Sequence, residues 1–194
     1  MKARFPVVPE VVREACASAS PGLVVDEASP EAMNAALTGE AIATRYRHIA
    51  ATAMAGLPIC NAALDVAAEA FRVHAGRAVG IVVTPWFMNF VAADLADAPP
   101  SPALRAGSSI KLAAPAGEIE LIVGELPGFG RLDSCSLFSP MGEFADMASA
   151  ILTARKTMEA LFAARPPRPS AAPGALDRRA FLRGRLNAGA EGAR

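Results

Sequence analysis

Residues 108–126 read SSIKLAAPAGEIELIVGEL. Two apolar runs flank the turn-forming Pro115, Ala116 and Gly117. The second run alternates: Ile119, Leu121 and Val123 fall on one face, Glu118 and Glu120 on the other. A period of two marks a strand with one covered and one wet face. The stretch therefore predicts an antiparallel hairpin. Upstream, DVAAEAFRV and AVGIVVT are separated by HAGR, where Gly76 suits a tight connection. In AVGIVVT both faces are apolar (Val79, Ile81 and Val83 against Val82), which predicts a central, well-covered strand.

Helices bracket these strands. In SPEAM, residues 29–33, Ser29 can cap, Pro30 suits the first turn and Glu31 suits the positive end of the dipole. This helix is expected to run to about Met54 and to stop before Gly56 and Pro58, with Gly39 weakening its first half. Further on, Ser139 and Pro140 read as the start of a second helix. Its stripe of Phe144, Met147, Ala148, Ile151, Met158, Leu161 and Phe162 covers five turns. The expected fold is α+β: an antiparallel sheet of about four to five strands, packed by an N-terminal helix and a longer C-terminal helix. Three segments follow: a flexible leader at 1–28, an α+β domain at 29–164, and a Pro/Arg-rich linker with a basic tail at 165–194.

Charge divides along the same lines. From Arg165 onward seven arginines face Asp177 and Glu191, a net of +5. Taking these from the 19 basic and 19 acidic residues of the chain leaves 12 and 17 for residues 1–164, a net of −5. An acidic body is repelled by phosphates, which argues against nucleic acid and for a basic peptide as partner. No apolar run is long enough to span a membrane. Glu10, Arg13 and Glu14 interrupt any signal-peptide core, so a cytoplasmic location is expected. Cys16, Cys60 and Cys135 form no C-x-x-C, and the histidines are His48 and His74 alone. Neither a metal site nor a cofactor is expected.

Catalysis finds little support. DSCSL offers Ser134, Cys135 and Ser136 as nucleophiles, but no G-x-S-x-G elbow and no paired carboxylates in an apolar setting accompany them. The glycines of GELPGFGRL are flanked by Glu125 and Asp133, a poor setting for phosphate. The expectation is a non-enzyme.

Two stretches exceed what turns need: VTPWFMNF at 83–90 and GFGRLDSCSLFSPMGEFADMA at 128–148. They carry the one Trp of the chain with several Phe and Met, as core or as a surface for an apolar partner. Together with MAGLPICNAAL at 54–64, they resemble the HybE family of [NiFe]-hydrogenase assembly chaperones, which includes the HupJ-type proteins. The resemblance runs in order from about Ala41 to Phe162. It implies a cytoplasmic chaperone that binds hydrogenase precursors, including the small subunit with its twin-arginine signal, and delays export until cofactors are inserted and subunits paired. A non-catalytic scaffold joining large- and small-subunit precursors, blind to the signal, is the alternative. Pro85, Trp86, Phe87, Met88, Asn89, Phe138, Ser139, Pro140 and Met141 match the family motifs and become partner-binding candidates. Two departures stand out. The rubredoxin-like module of HupJ-type relatives, with its two C-x-x-C pairs, has no counterpart here, and Ala62 stands where the family pattern has a proline.

A twin-arginine peptide needs carboxylates and a greasy slot. Glu118 and Glu120 are the first candidates for the carboxylates, with Glu125, Asp133, Asp94 and Asp97 beside them in sequence. The tail carries LDRRAFLRGRL at 176–186. Arg178, Arg179, Phe181 and Leu182 imitate the core of such a signal, at the wrong end of the chain for export. Either the likeness is an accident of an arginine-rich tail, or the tail competes with clients.

Overall fold

The structure, a computed structural model, describes residues 29–95 and 98–164. The chain enters α1 (Pro30–Ala51) through Ser29, whose hydroxyl accepts the Ala32 N–H at 3.1 Å. The helix ends at Ala51, three residues short of the expected Met54, and turns lead on to Gly56 and Pro58. The helix continues through Gly39. A Cβ on Gly39 would lie 2.7 Å from the Phe71 ring and one on Gly80 only 2.3 Å from it, so the ring lies between helix and sheet where only glycine fits. Phe71 reaches that slot from a bulge, with Ala70 in the left-handed region at φ 54°.

Seven strands follow: β1 (Ala67–His74), β2 (Arg77–Val83), β3 (Met88–Asp94), β4 (Ser109–Ala114), β5 (Gly117–Ile122), the short β6 (Glu125–Leu126) and β7 (Gly130–Phe138). All pairings are antiparallel in the order β1-β2-β3-β7-β5-β4, with β6 on β7. Both expected hairpins are present. Ala75 and Gly76, at φ 50° and 74°, turn β1 into β2, and Pro115–Ala116 turn β4 into β5. The α+β class holds, with seven strands rather than four or five. The additional full strands are β3, which the aromatic stretch at 83–90 enters after a turn, and β7.

α2 (Met147–Phe162) differs from expectation. It has 16 residues against 22 in α1, so the C-terminal helix is the shorter of the two. The reason is its cap. Asp146 accepts the Ser149 N–H at 2.7 Å, whereas Ser139–Met141 lie in the preceding loop. Starting at Asp146 removes the expected first turns and puts Phe144 outside the helix. It also shifts the buried stripe to Ala150, Ala154, Thr157, Met158 and Leu161.

The helices cover opposite faces of the sheet. Val79, Ile81, Val83, Met88, Phe90, Leu112, Ile119, Leu121 and Leu137 pack with α2 through Ala154, Met158 and Leu161. Val82, Val91, Ala93 and Leu132 pack with Ile42, Tyr46 and Ile49 of α1. Burying each large aliphatic side chain contributes about 1.5–3 kcal/mol. The sheet curls until its two borders touch. His74 Nε2 on β1 lies 2.6 Å from the Ala113 carbonyl oxygen on β4, so that nitrogen carries the proton. The His74 ring packs edge-on against Phe162, and Ala116 donates its N–H to the Leu161 carbonyl at 3.1 Å.

Candidate functional site

The three stretches singled out in the sequence meet at one end of the sheet. Thr84–Phe87 forms the turn from β2 to β3. The Thr84 N–H donates to the Phe87 carbonyl at 2.8 Å, and the Thr84 hydroxyl accepts from the Phe87 N–H at 2.9 Å. Pro85 suits the second position of such a turn. Its carbonyl accepts the Asn61 N–H at 2.8 Å, and the Ser139 hydroxyl donates to the Trp86 carbonyl at 3.4 Å.

Asn61 joins all three segments. Its amide nitrogen donates to the carbonyls of Met141 at 3.1 Å and Phe144 at 2.7 Å, and its side-chain oxygen accepts the Ala63 N–H at 3.0 Å. The sequence reading used Asn61 only as part of a motif. Its role was not accessible there, because the two carbonyls its amide nitrogen holds lie about 80 positions away.

Between these segments lies a groove of about 530 Å³, lined by Pro58, Ile59, Cys60, Asn61, Ala62, Pro140, Gly142 and Phe144. That volume falls in the usual range of ligand pockets, about 300–1,000 Å³. The exposed lining is about equally polar and apolar and contains no basic side chain. Ile59 is 50 % exposed and Leu57 43 %. Glu143, exposed between two lining residues, has no ion-pair partner among the described residues. A larger groove of about 760 Å³ lies along α1 against Phe129 and Arg131, at the start of β7 and of the stretch 128–148. The Arg131 guanidinium at its rim is already held by Asp133 and the Pro102 carbonyl.

The partner-binding candidates separate by burial. Met88 and Met141 are both 0 % exposed and belong to the core, so they support the loops from beneath and present no surface to a partner. Phe87 is half-buried against Tyr46, with ring centroids 5.3 Å apart, and Trp86 packs edge-on to both rings. Phe138 is half-buried against Phe144 at 5.2 Å. Pro85 and Asn89 are half-buried, and Asn89 Oδ1 is buried without a hydrogen-bond partner. Ser139 and Pro140 are exposed, and Pro140 lines the groove.

The acidic candidates separate too. Glu118 and Glu120 are exposed on β5 and are already engaged, by Lys111 Nζ at 2.8 Å and by the Ser109 hydroxyl. Neither lines the groove. Asp133 is fully buried between Arg77 at 2.6 Å and Arg131 at 2.7 Å, so it is unavailable to a client's arginines. Asp94 is bound by Ser101 and lies 3.2 Å from Arg77 Nε, near but not aligned for a hydrogen bond. Burial pushes its carboxyl up, but the Ser101 hydrogen bonds and the charges of Arg77 and Arg131 outweigh this and hold it below the ordinary value. Glu125 is exposed on β6. Asp97 and the tail residues Arg178, Arg179, Phe181 and Leu182 lie outside the described residues.

The groups weighed for catalysis do not assemble. His74 is committed to a backbone carbonyl and Phe162, and His48 stands in the last turn of α1. Burial, with the charge of Glu120, pushes the Cys135 thiol up and keeps it protonated. Among the described residues, no group of three or more His, Cys, Asp or Glu is placed to hold a metal. No helix among them is long and apolar enough to cross a membrane.

Residues 38–184 match the family described as [NiFe]-hydrogenase assembly, chaperone, HybE. The chain belongs to the HybE family. The match begins within α1, takes in all seven strands and α2, and continues into the tail. Among relatives, the hydrogenase expression/formation protein HupJ of Bradyrhizobium diazoefficiens is 43% identical over 167 residues, covering 81% of this chain and 94% of that protein. The probable rubredoxin HupJ of Rhodobacter capsulatus is 36% identical over 124 residues, 64% of this chain but 44% of that protein. The solution structure of HybE from Escherichia coli shares the fold at a TM-score of 0.53 and 22% identity, covering 80% of this chain and 91% of that one. HybE-family membership makes this chain a hydrogenase maturation chaperone, and the groove is built from segments inside the matched region.

Proposed function

We propose that this chaperone works in the cytoplasm on the precursor of a [NiFe]-hydrogenase small subunit. It binds the twin-arginine signal and thereby delays export until cofactor insertion and subunit pairing are complete. The observation that carries the reading is the groove of Pro58–Ala62, Pro140, Gly142 and Phe144, which mixes apolar and polar surface and has no basic side chain, with the exposed Glu143 between two of its lining residues in sequence. A signal core pairs two guanidinium groups with bulky apolar residues, and the slot offers the complement of each. Ile59 and Phe144 take the apolar side chains, and Glu143 takes one arginine. An exposed pair contributes about 1 kcal/mol or less, so affinity comes mainly from apolar burial, while charge sets register and salt dependence.

The test is a binding titration of the full chain against the small-subunit precursor, with and without its signal. Loss of binding without the signal is expected. Equal binding to both forms sinks signal reading and leaves the scaffold that joins subunit precursors. Glu143→Arg should weaken signal binding about fivefold at low salt, the equivalent of about 1 kcal/mol. Glu118→Lys with Glu120→Lys probes the open sheet face. A loss there with none at Glu143 moves the arginine contact to β5 and overturns the groove assignment.

A further inference from the structure

We infer that two copies of this chain pair through α1, antiparallel and related by a two-fold axis beside Leu37. The outer side of that helix is too apolar for one that faces water. Between Pro30 and Ala41 its exposed residues are Pro30, Glu31, Met33, Ala36, Leu37, Glu40 and Ala41, five apolar and two acidic. A helix packed on a sheet ordinarily turns polar residues outward. Here Met33 is 56 % exposed and Leu37 63 %, the highest value among the large apolar residues described. Pro30, Met33, Leu37 and Ala41 recur at three- and four-residue spacing and so form one stripe. The stripe is one wall of the groove of about 760 Å³ whose other wall includes Phe129 and Arg131. Contiguous exposed apolar surface of this kind marks an interface.

Charge selects the occupant. The first half of α1 carries Glu31 and Glu40, the second Arg45, Arg47 and His48. Glu40 and Arg47 hold each other at 2.6 Å. Glu31 and Arg45 are exposed and have no ion-pair partner among the described residues. A second α1 laid antiparallel on the first sets acidic start against basic end, twice over, and the helix dipoles attract as well. With the axis beside Leu37, Glu31 of each copy faces Arg45 of the other, and Met33 faces the small Ala41 and Thr44. Each stripe then fills the groove of the other copy, the self-complementary contact that two-fold symmetry demands. A second copy supplies both the stripe and the charge order, so no feature outside this chain is needed. Residues 30–45 make about 24 Å of helix. A contact of that length sits at the small end of specific interfaces, and a reversible dimer with a dissociation constant on the order of 10 μM is expected. α1 runs from Asp94 and Arg131 at its start to Phe87, which packs on Tyr46 near its end. An antiparallel pair therefore sends the two loop-end grooves to opposite ends and leaves each open, whatever they bind.

The experiment is sedimentation equilibrium of the full-length chain at about 1–300 μM, which brackets that constant. Leu37→Asp, at an exposed position, puts two like charges face to face at the axis. It should leave a monomer, with circular dichroism checking that the fold is retained. Glu31→Arg and Arg45→Glu should each weaken pairing about tenfold at low salt, because symmetry removes each ion pair twice. The double variant Glu31→Arg/Arg45→Glu restores opposite charges across the axis and should pair as wild type does. A wild-type chain that stays monomeric throughout the range overturns the inference; loss of precursor binding by Leu37→Asp would then assign the face to the client. A dimer that Leu37→Asp leaves intact overturns the assignment to α1. A double variant that pairs no more tightly than the single ones overturns the antiparallel arrangement.

Discussion

Replacing Asn61 with alanine removes three side-chain hydrogen bonds at once, to Met141, Phe144 and Ala63. Each is worth about 1 kcal/mol net, for a gross loss of about 3 kcal/mol. The site is only partly buried, so water reaches some of the freed groups, and about 2 kcal/mol is the expected cost. At a urea slope of about 2 kcal/mol/M the midpoint falls by about 1 M. Asn61→Asp sharpens the test. It keeps the shape and the acceptor for Ala63, but at neutral pH it points a carboxylate at two carbonyl oxygens. It should therefore destabilise more than alanine at pH 7 and recover partly in acid, where the protonated carboxyl can donate. Signal binding should fall in both variants, because Asn61 holds the segments that wall the groove. An Asn61→Ala midpoint within about 0.2 M of wild type, or an aspartate variant milder than alanine, would refute the reasoning.

Gly39→Ala gains about 1 kcal/mol of helix propensity but drives a Cβ to 2.7 Å from the Phe71 ring, and overpacking costs about 1–3 kcal/mol. A lower melting temperature is expected, with non-additivity when combined with Phe71→Ala; a stabilised single variant would contradict the slot. Asp94 makes stability pH-dependent. Its folded value is held below the unfolded value of about 3.9, so its contribution is complete above that pH and is lost as pH falls through the folded value. Ser101→Ala raises the folded value. The urea stabilities of variant and wild type should therefore differ at neutral pH and converge in acid, and a gap constant with pH would exclude this linkage.

What the sequence made legible was local. Strict alternation in Glu118–Val123 gave β5 its face, Gly76 gave a turn, and Ser29–Pro30 gave the start of α1, each from residues within a few positions of one another. β3 was harder to read because MNFVAAD shows no clean alternation, being covered on both faces, and its Trp and Phe neighbours drew attention as a surface. Ser139–Pro140 read as the start of the second helix, whereas Asp146 caps it. Between the two, Asn61 holds the carbonyls of Met141 and Phe144 in the loop, a contact across the fold. The fate of Asp133 was likewise non-local. Arg131 stands two residues away, but Arg77, which completes its burial, comes from another strand.

The curl that brings His74 to the Ala113 carbonyl bears on misassembly as well as on shape. An open sheet border is a template onto which another chain can add a strand. Here one border is bulged at Ala70 and closed at its end by the imidazole, while the other carries Lys111 against Glu118. Both borders are thus poor seeds for aggregation.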